Sequence, residues 1–283
     1  MENIYKSEAG KELILGQYRE ILEEWPVENR QYQVETRHGS TFIIESGDAS
    51  KPPLILLHGS VSNSLTWLGD VQTYSETHHV FAVDIIGEPG FSAPSRPTYE
   101  SGAYAEWLAD LLEKLEIGKT SLVGLSLGGW MALSFAVTHP EKVEKLCLIC
   151  PGGVYPERSS FLVKAIFYSL CGEWGKKQIM KLINGGKLPD DEGLERAMSF
   201  TTLTSQHFKP RYAKLLIFSD ADLGRLTMPV QMFFGEFDYL LRAEESIERL
   251  ARLVKNSENN LLPDTGHVVV NQAAAIQRFL NSG

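Results

Sequence analysis

The sequence predicts an α/β fold, a mostly parallel, doubly wound sheet interrupted by a helical insertion. Three observations carry that prediction. From residue 53 onward short apolar runs alternate with helical stretches, the pattern of parallel strands joined by crossover helices. The alternation stops after Cys150, and up to about Arg225 there is no strand-like run, only helical stretches punctuated by Gly172, Gly175, Gly185-Gly186, Pro189 and Pro210. Between an apolar run, Thr120–Val123, and a helical stretch, Leu127–Thr138, stands Gly124-Leu125-Ser126-Leu127-Gly128, a G-x-S-x-G turn in strand–turn–helix context.

Within the first thirty residues Leu13, Ile14, Tyr18, Ile21 and Leu22 recur at helical spacing, and Pro26 ends the pattern. Two short strands follow, Gln31–Thr36 and Thr41–Glu45, joined as a hairpin through His38-Gly39. The sheet strands are expected at Pro53–Leu57, Val80–Asp84, Thr120–Val123, Val143–Cys150, Val230–Phe234 and Glu258–Leu262. Helices are expected at Tyr104–Leu115, Leu127–Thr138, Ala243–Leu253 and Val268–Leu280. The chain thus divides into residues 1–30, an N-terminal helix packing on the body; 31–150 and 226–283, the α/β core; and 151–225, a helical cap. The cap segment is rich in large apolar residues (Phe161, Phe167, Tyr168, Trp174, Met180, Met198, Phe200, Phe208, Tyr212 and Phe218). Most must form its own core, and the rest are candidates for a hydrophobic pocket wall.

With 283 residues, 43% of them hydrophobic, the chain can bury a sizeable core. No stretch approaches the ~20 apolar residues of a membrane span, and the segment from Met1 to Glu8 lacks the basic-then-apolar layout of a signal peptide. The expected location is cytoplasmic. Cys147 and Cys150 lie three apart on a predicted strand and so point to opposite faces, where they cannot share one ion. With Cys171 they read as three free thiols. The net charge of −9 argues against nucleic acid as a partner. Between Pro151 and Arg225 there are 11 Lys and Arg against 8 Asp and Glu, leaving 16 against 28 elsewhere. That basic excess reads as an ordinary solvated surface.

A serine hydroxyl becomes nucleophilic only when a base takes its proton, and the base works best when a third group orients it. On an open α/β sheet carrying this turn, the chain order is serine, acid, histidine. The acid should follow a later strand, and Val230–Phe234 leads into Gly235-Glu236-Phe237-Asp238. After Asp238 the only histidine is His267. Asp238 is therefore the candidate acid, with Glu236 second, and His267 the candidate base for Ser126. The tetrahedral intermediate of acyl transfer needs backbone N–H groups at its oxyanion. Leu127 should supply one. The other should come from His58-Gly59-Ser60-Val61, directly after Pro53–Leu57, with Ser60 preferred and Val61 the alternative. No cofactor or metal is expected.

At these residues the chain resembles the α/β-hydrolase superfamily over nearly its full length. The matching pieces are Leu56-Leu57-His58-Gly59, Val83-Asp84-Ile85-Ile86-Gly87, Gly124-Leu125-Ser126-Leu127-Gly128-Gly129, His139-Pro140, Gly235-Glu236-Phe237-Asp238 and Gly266-His267. More narrowly it looks like the bacterial carboxylesterases of the naproxen-esterase type, through Trp25-Pro26, Pro52–Gly59 and Ala82–Gly87. The resemblance implies an α/β-hydrolase fold with a helical cap and ester hydrolysis through an acyl-enzyme, with a small hydrophobic ester or related acyl compound as substrate. A homodimer stays open. Carbon–carbon bond hydrolysis, lactonase or thioesterase chemistry with the same triad is the alternative, and a non-catalytic small-ligand receptor is the alternative of another class. Two departures stand out. The family's Asp-x-x-Gly-x-Gly-x-Ser stretch is one residue longer here, Asp84 to Ser92. The narrower subfamily would also place Glu at the acid position, so Asp238 fits the superfamily better.

Overall fold

From Leu54 to Leu57 every side chain is buried, yet successive residues serve different cores: Leu54 and Leu56 face one, Ile55 and Leu57 the other. A strand covered on both faces reads as a continuous apolar run, and that is what the computed structural model of the chain, describing residues 3–187 and 192–282, contains.

The chain opens with α1 (Glu8–Leu22), whose first turn is capped by the Ser7 hydroxyl accepting from the Gly10 amide at 3.0 Å. Ile14, Tyr18 and Leu22 bury one stripe of it. Strands β1 (Asn29–Thr36) and β2 (Gly39–Ser46) form the hairpin. Thr36 pairs with Gly39, so the turn is Arg37-His38, one residue earlier than the sequence indicates. Gly39, at φ +125°, takes a conformation open only to glycine. Then come β3 (Pro53–Leu57), α2 (Val71–Ser75), β4 (His79–Val83), α3 (Ala103–Lys114), β5 (Thr120–Leu125), α4 (Leu127–Thr138) and β6 (Val143–Ile149). The segment after β6 carries α5 (Ser159–Ser169), α6 (Gly172–Ile183), α7 (Glu192–His207) and the short α8 (Asp220–Leu223). Pro189 and the side chain of Met198 lie outside the described residues. The chain closes with β7 (Val230–Gly235), α9 (Ala243–Leu253), β8 (Ser257–Leu262) and α10 (Ala273–Asn281).

Among the described residues, eight strands lie in the order β1-β2-β4-β3-β5-β6-β7-β8. Only the β1–β2 and β2–β4 pairings are antiparallel; from β4 to β8 all are parallel. One face carries α3, α4 and α9, through residues such as Trp107, Leu111, Phe135 and Leu250. The other carries α1, α2 and α10, through Tyr18, Tyr74, Ile276 and Phe279. The predicted strands recur within two residues at each end. The last helix begins later than the pattern indicates, because Asn271 is left-handed at φ +60° and stops Val268–Gln272 from joining it. Among the described residues no helix is long and apolar enough to cross a membrane.

Candidate active site

Ser126 stands between the end of β5 and the start of α4, and the reversal is so tight that its φ is +52° and its ψ −106°. This conformation is costly for a residue with a Cβ, and the surrounding backbone holds it in place. The Ser126 amide donates to the Ile149 carbonyl at 2.8 Å, and its own carbonyl accepts from the Trp130 amide at 2.9 Å and the Gly152 amide at 3.2 Å. Both flanking glycines are required by close approach. A Cβ on Gly124 would lie 2.4 Å from the Gly128 carbonyl oxygen, and one on Gly128 would lie 2.1 Å from that of Leu57.

Asp238 sits in the loop after β7 and is 4% exposed. Its Oδ1 accepts from the amides of Leu240 and Leu241, both at 2.8 Å. Its Oδ2 accepts from His267 Nδ1 at 2.7 Å, and His267 Nε2 lies 3.0 Å from Ser126 Oγ. The structure thus brings together Ser126, Asp238 and His267, which stand 141 and 29 residues apart along the chain from His267. Glu236 is elsewhere, exposed and accepting from the Asp264 amide at 3.2 Å. Burial pushes the Asp238 carboxyl up, but the His267 ring and the amides of Leu241 and Leu240 bring it below its ordinary value. Burial alone would lower the His267 imidazole; the Asp238 carboxylate outweighs it and holds the ring well above its ordinary value. The arrangement can take a proton from the serine and keep the resulting imidazolium stable.

Residues 52–169 match the alpha/beta hydrolase fold family. The chain is also 30% identical to carboxylesterase YbfK of Bacillus subtilis over 262 residues, covering 89% of this chain and 86% of that protein. The chain belongs to the α/β-hydrolase family. Two solved structures from the same organism agree with the fold. Carboxylesterase CesB (YbfK) superposes with a TM-score of 0.82 at 27% identity, covering 96% of this chain and 97% of that one. Naproxen esterase (carboxylesterase NP) superposes with 0.81 at 25% identity, covering 94% and 96%.

The site has a second wall, the loop after β3. Gly59 runs beside Ser126, whose Cβ an added Cβ would meet at 3.7 Å. His58 is a structural residue: its Nε2 accepts from the Ile85 amide at 2.9 Å and its Nδ1 faces the Gly59 carbonyl at 2.8 Å. Burial lowers its pKa, with the Asp84 charge opposing. The Val61 amide is engaged by Glu88 Oε2 at 2.6 Å, which removes it as the alternative donor and leaves Ser60 the better candidate beside Leu127. Leu127 occupies the first position of α4, where a backbone N–H has no intrahelical acceptor.

Three further participants escaped sequence reasoning. Glu88 is one; it lies in the stretch that is one residue longer than the family pattern, is 5% exposed, and burial raises its pKa to about 7 against the pull of the Val61 amide, Arg96 and Arg211. Ile183, the last residue of α6, is another: its carbonyl accepts from the His267 amide at 2.7 Å. Gly266 and Gly185 pack so closely there that a Cβ on Gly266 would overlap the Gly185 amide nitrogen. The negative end of α6 thereby faces the loop of His267. The third is Cys150, fully buried and grouped with Asp238 and His267. Its partner in the sequence pattern, Cys147, faces the opposite core, and all three cysteines are free.

Proposed function

We propose that the protein is a carboxylesterase that acts by two-step acyl transfer on a small hydrophobic ester in the cytoplasm. The observation that carries this is the position of the His267 ring, 2.7 Å from Asp238 on one side and 3.0 Å from Ser126 Oγ on the other. Ser126 Oγ attacks the ester carbonyl while His267 Nε2 takes its proton. The same nitrogen then protonates the leaving alcohol, and a water activated by His267 releases the acid. Asp238 fixes the tautomer with Nδ1–H pointing away from the serine. The amides of Ser60 and Leu127 receive the oxyanion. Residues 151–225 serve as the cap, with the Ile183 carbonyl holding the backbone of His267. The relatives named as carboxylesterases support this choice among the chemistries that such a triad performs.

The test is hydrolysis of p-nitrophenyl esters from acetate to laurate by the wild type and by Ser126→Ala. The expected result is turnover with a chain-length optimum that falls by several orders of magnitude in the variant. A variant retaining more than about a tenth of the activity would refute the mechanism. No turnover of any ester by the wild type would direct the search to carbon–carbon bond hydrolysis or to a ligand receptor.

A further inference from the structure

Acyl transfer by Ser126 uses no thiol, yet a thiol stands at the acid–base pair. Cys150 closes the end of β6 in a left-handed conformation, φ +43°, with its amide donating to the Phe233 carbonyl at 2.8 Å. One ligating atom each from Cys150, Asp238 and His267 lie within 4.8 Å of one another, and this is the one such triple among the described residues. Two of the three are shut off from solvent; the His267 side chain, 11% exposed, is the way in.

We propose that Cys150, Asp238 and His267 form an inhibitory site for a thiophilic divalent cation, zinc or cadmium, lying across the triad on which the functional reading rests. Zinc bonds to sulfur at about 2.3 Å, to imidazole nitrogen at about 2.0 Å and to carboxylate oxygen at about 2.1 Å. A tetrahedral ion therefore wants its ligand atoms roughly 3.3–3.7 Å apart. The widest separations here must close by about 1 Å at most, and the 2.7 Å His267–Asp238 pair must open by about half of that. A thiolate and a carboxylate together neutralise the dication, which a buried site demands.

The Cys150 S–H is lost to solvent as the thiolate binds. The ion takes the lone pair freed at His267 Nδ1, and the proton that Nδ1 carried passes to Nε2. Starting from the neutral imidazole, one proton leaves per ion bound. Nε2 then presents an N–H to Ser126 Oγ in place of a lone pair, so the base is blocked by its tautomer as well as by loss of the Asp238 contact. Magnesium and calcium, which require six or more oxygen ligands, should have no effect.

The experiment titrates the full chain with cadmium, following the ultraviolet thiolate-to-metal charge-transfer band and ester hydrolysis together, in the wild type, Cys150→Ser, Cys171→Ser and Ser126→Ala. The expected result is one ion per chain, with band and inhibition rising together and reversed by a chelator. Cys150→Ser should lose the band and need at least tenfold more cadmium for the same fractional inhibition. Cys171→Ser should behave as wild type, and Ser126→Ala should keep the band with no activity to inhibit. Equal cadmium sensitivity in Cys150→Ser would overturn the proposal, as would a band that disappears with Cys171→Ser. Ordinary activity in Ser126→Ala would instead remove the triad reading, while the band would still report on the site.

Discussion

Gly128→Ala tests how the elbow and the oxyanion loop are held together. The added Cβ would lie 2.1 Å from the Leu57 carbonyl oxygen and 2.5 Å from that of His58, whereas ordinary contact begins near 3.4 Å. Both obstacles are backbone at the end of β3, so no side-chain rotation relieves them, and α4 must part from β3 by about 1 Å. Forcing backbone apart within a buried, close-packed sheet should cost about 3 kcal/mol or more, which lowers Tm by roughly 6–10 °C for a chain of this size. The same displacement separates Leu127 from Ser60, the two proposed oxyanion donors. A misplacement of about 1 Å at such a site is worth roughly a hundredfold in kcat. The assay is thermal unfolding by circular dichroism beside ester hydrolysis below the melting range. Gly118→Ala is the control, because a Cβ there meets nothing within 4 Å. A Gly128→Ala protein that melts within about 2 °C of the wild type and turns over at full rate would refute this account of the elbow.

Asp238→Asn keeps an acceptor for the Leu240 and Leu241 amides but turns an N–H donor toward His267, favouring the tautomer that cannot accept from Ser126; kcat should fall by about 10⁴ with the fold intact. Glu88→Gln addresses the buried carboxyl on the Val61 amide. Its folded pKa, about 7, is above its ordinary 4.5. Its contribution to stability is therefore present below about 4.5 and lost as pH rises through about 7. Denaturation by urea should show Glu88→Gln gaining on the wild type between about pH 5 and pH 8, and a constant difference would contradict that reading. Gly16→Ala places a Cβ in open space inside α1 and should raise stability by up to about 1 kcal/mol, read from the same urea curves.

What the sequence disclosed depended on whether the deciding physics was local. The elbow was legible because its glycines are demanded by backbone atoms only four residues away or on the adjacent strand. Asp238 and His267 followed from chain order, since a single histidine stands after the β7 loop. The start of α10 misled because Val268, Val269 and Val270 continue an apolar helical pattern, while this segment belongs to the loop that ties His267 to Ile183. The 3₁₀ turn at Ser64–Trp67 and the short α2 were also missed. The Ser64 amide and hydroxyl bond to Asp84, twenty residues on, and nothing in the local pattern announces it. Cys150 read only as a free thiol on a strand, and Glu88 drew no reading of its own; only the sheet order brings the one to His267 and the other to Val61. Nor could composition sort the apolar residues of segment 151–225, where Phe200, Phe208 and Phe218 are buried but Phe167, Trp174 and Tyr212 are exposed.

The most direct test of the central claim is to quench the protein during turnover of a p-nitrophenyl ester and locate the acyl group by mass spectrometry of its peptides. The account predicts an acyl adduct on Ser126, a p-nitrophenol burst of about one per chain, and neither in Ser126→Ala. Turnover with the acyl group on another residue, or an undiminished burst in Ser126→Ala, would contradict it.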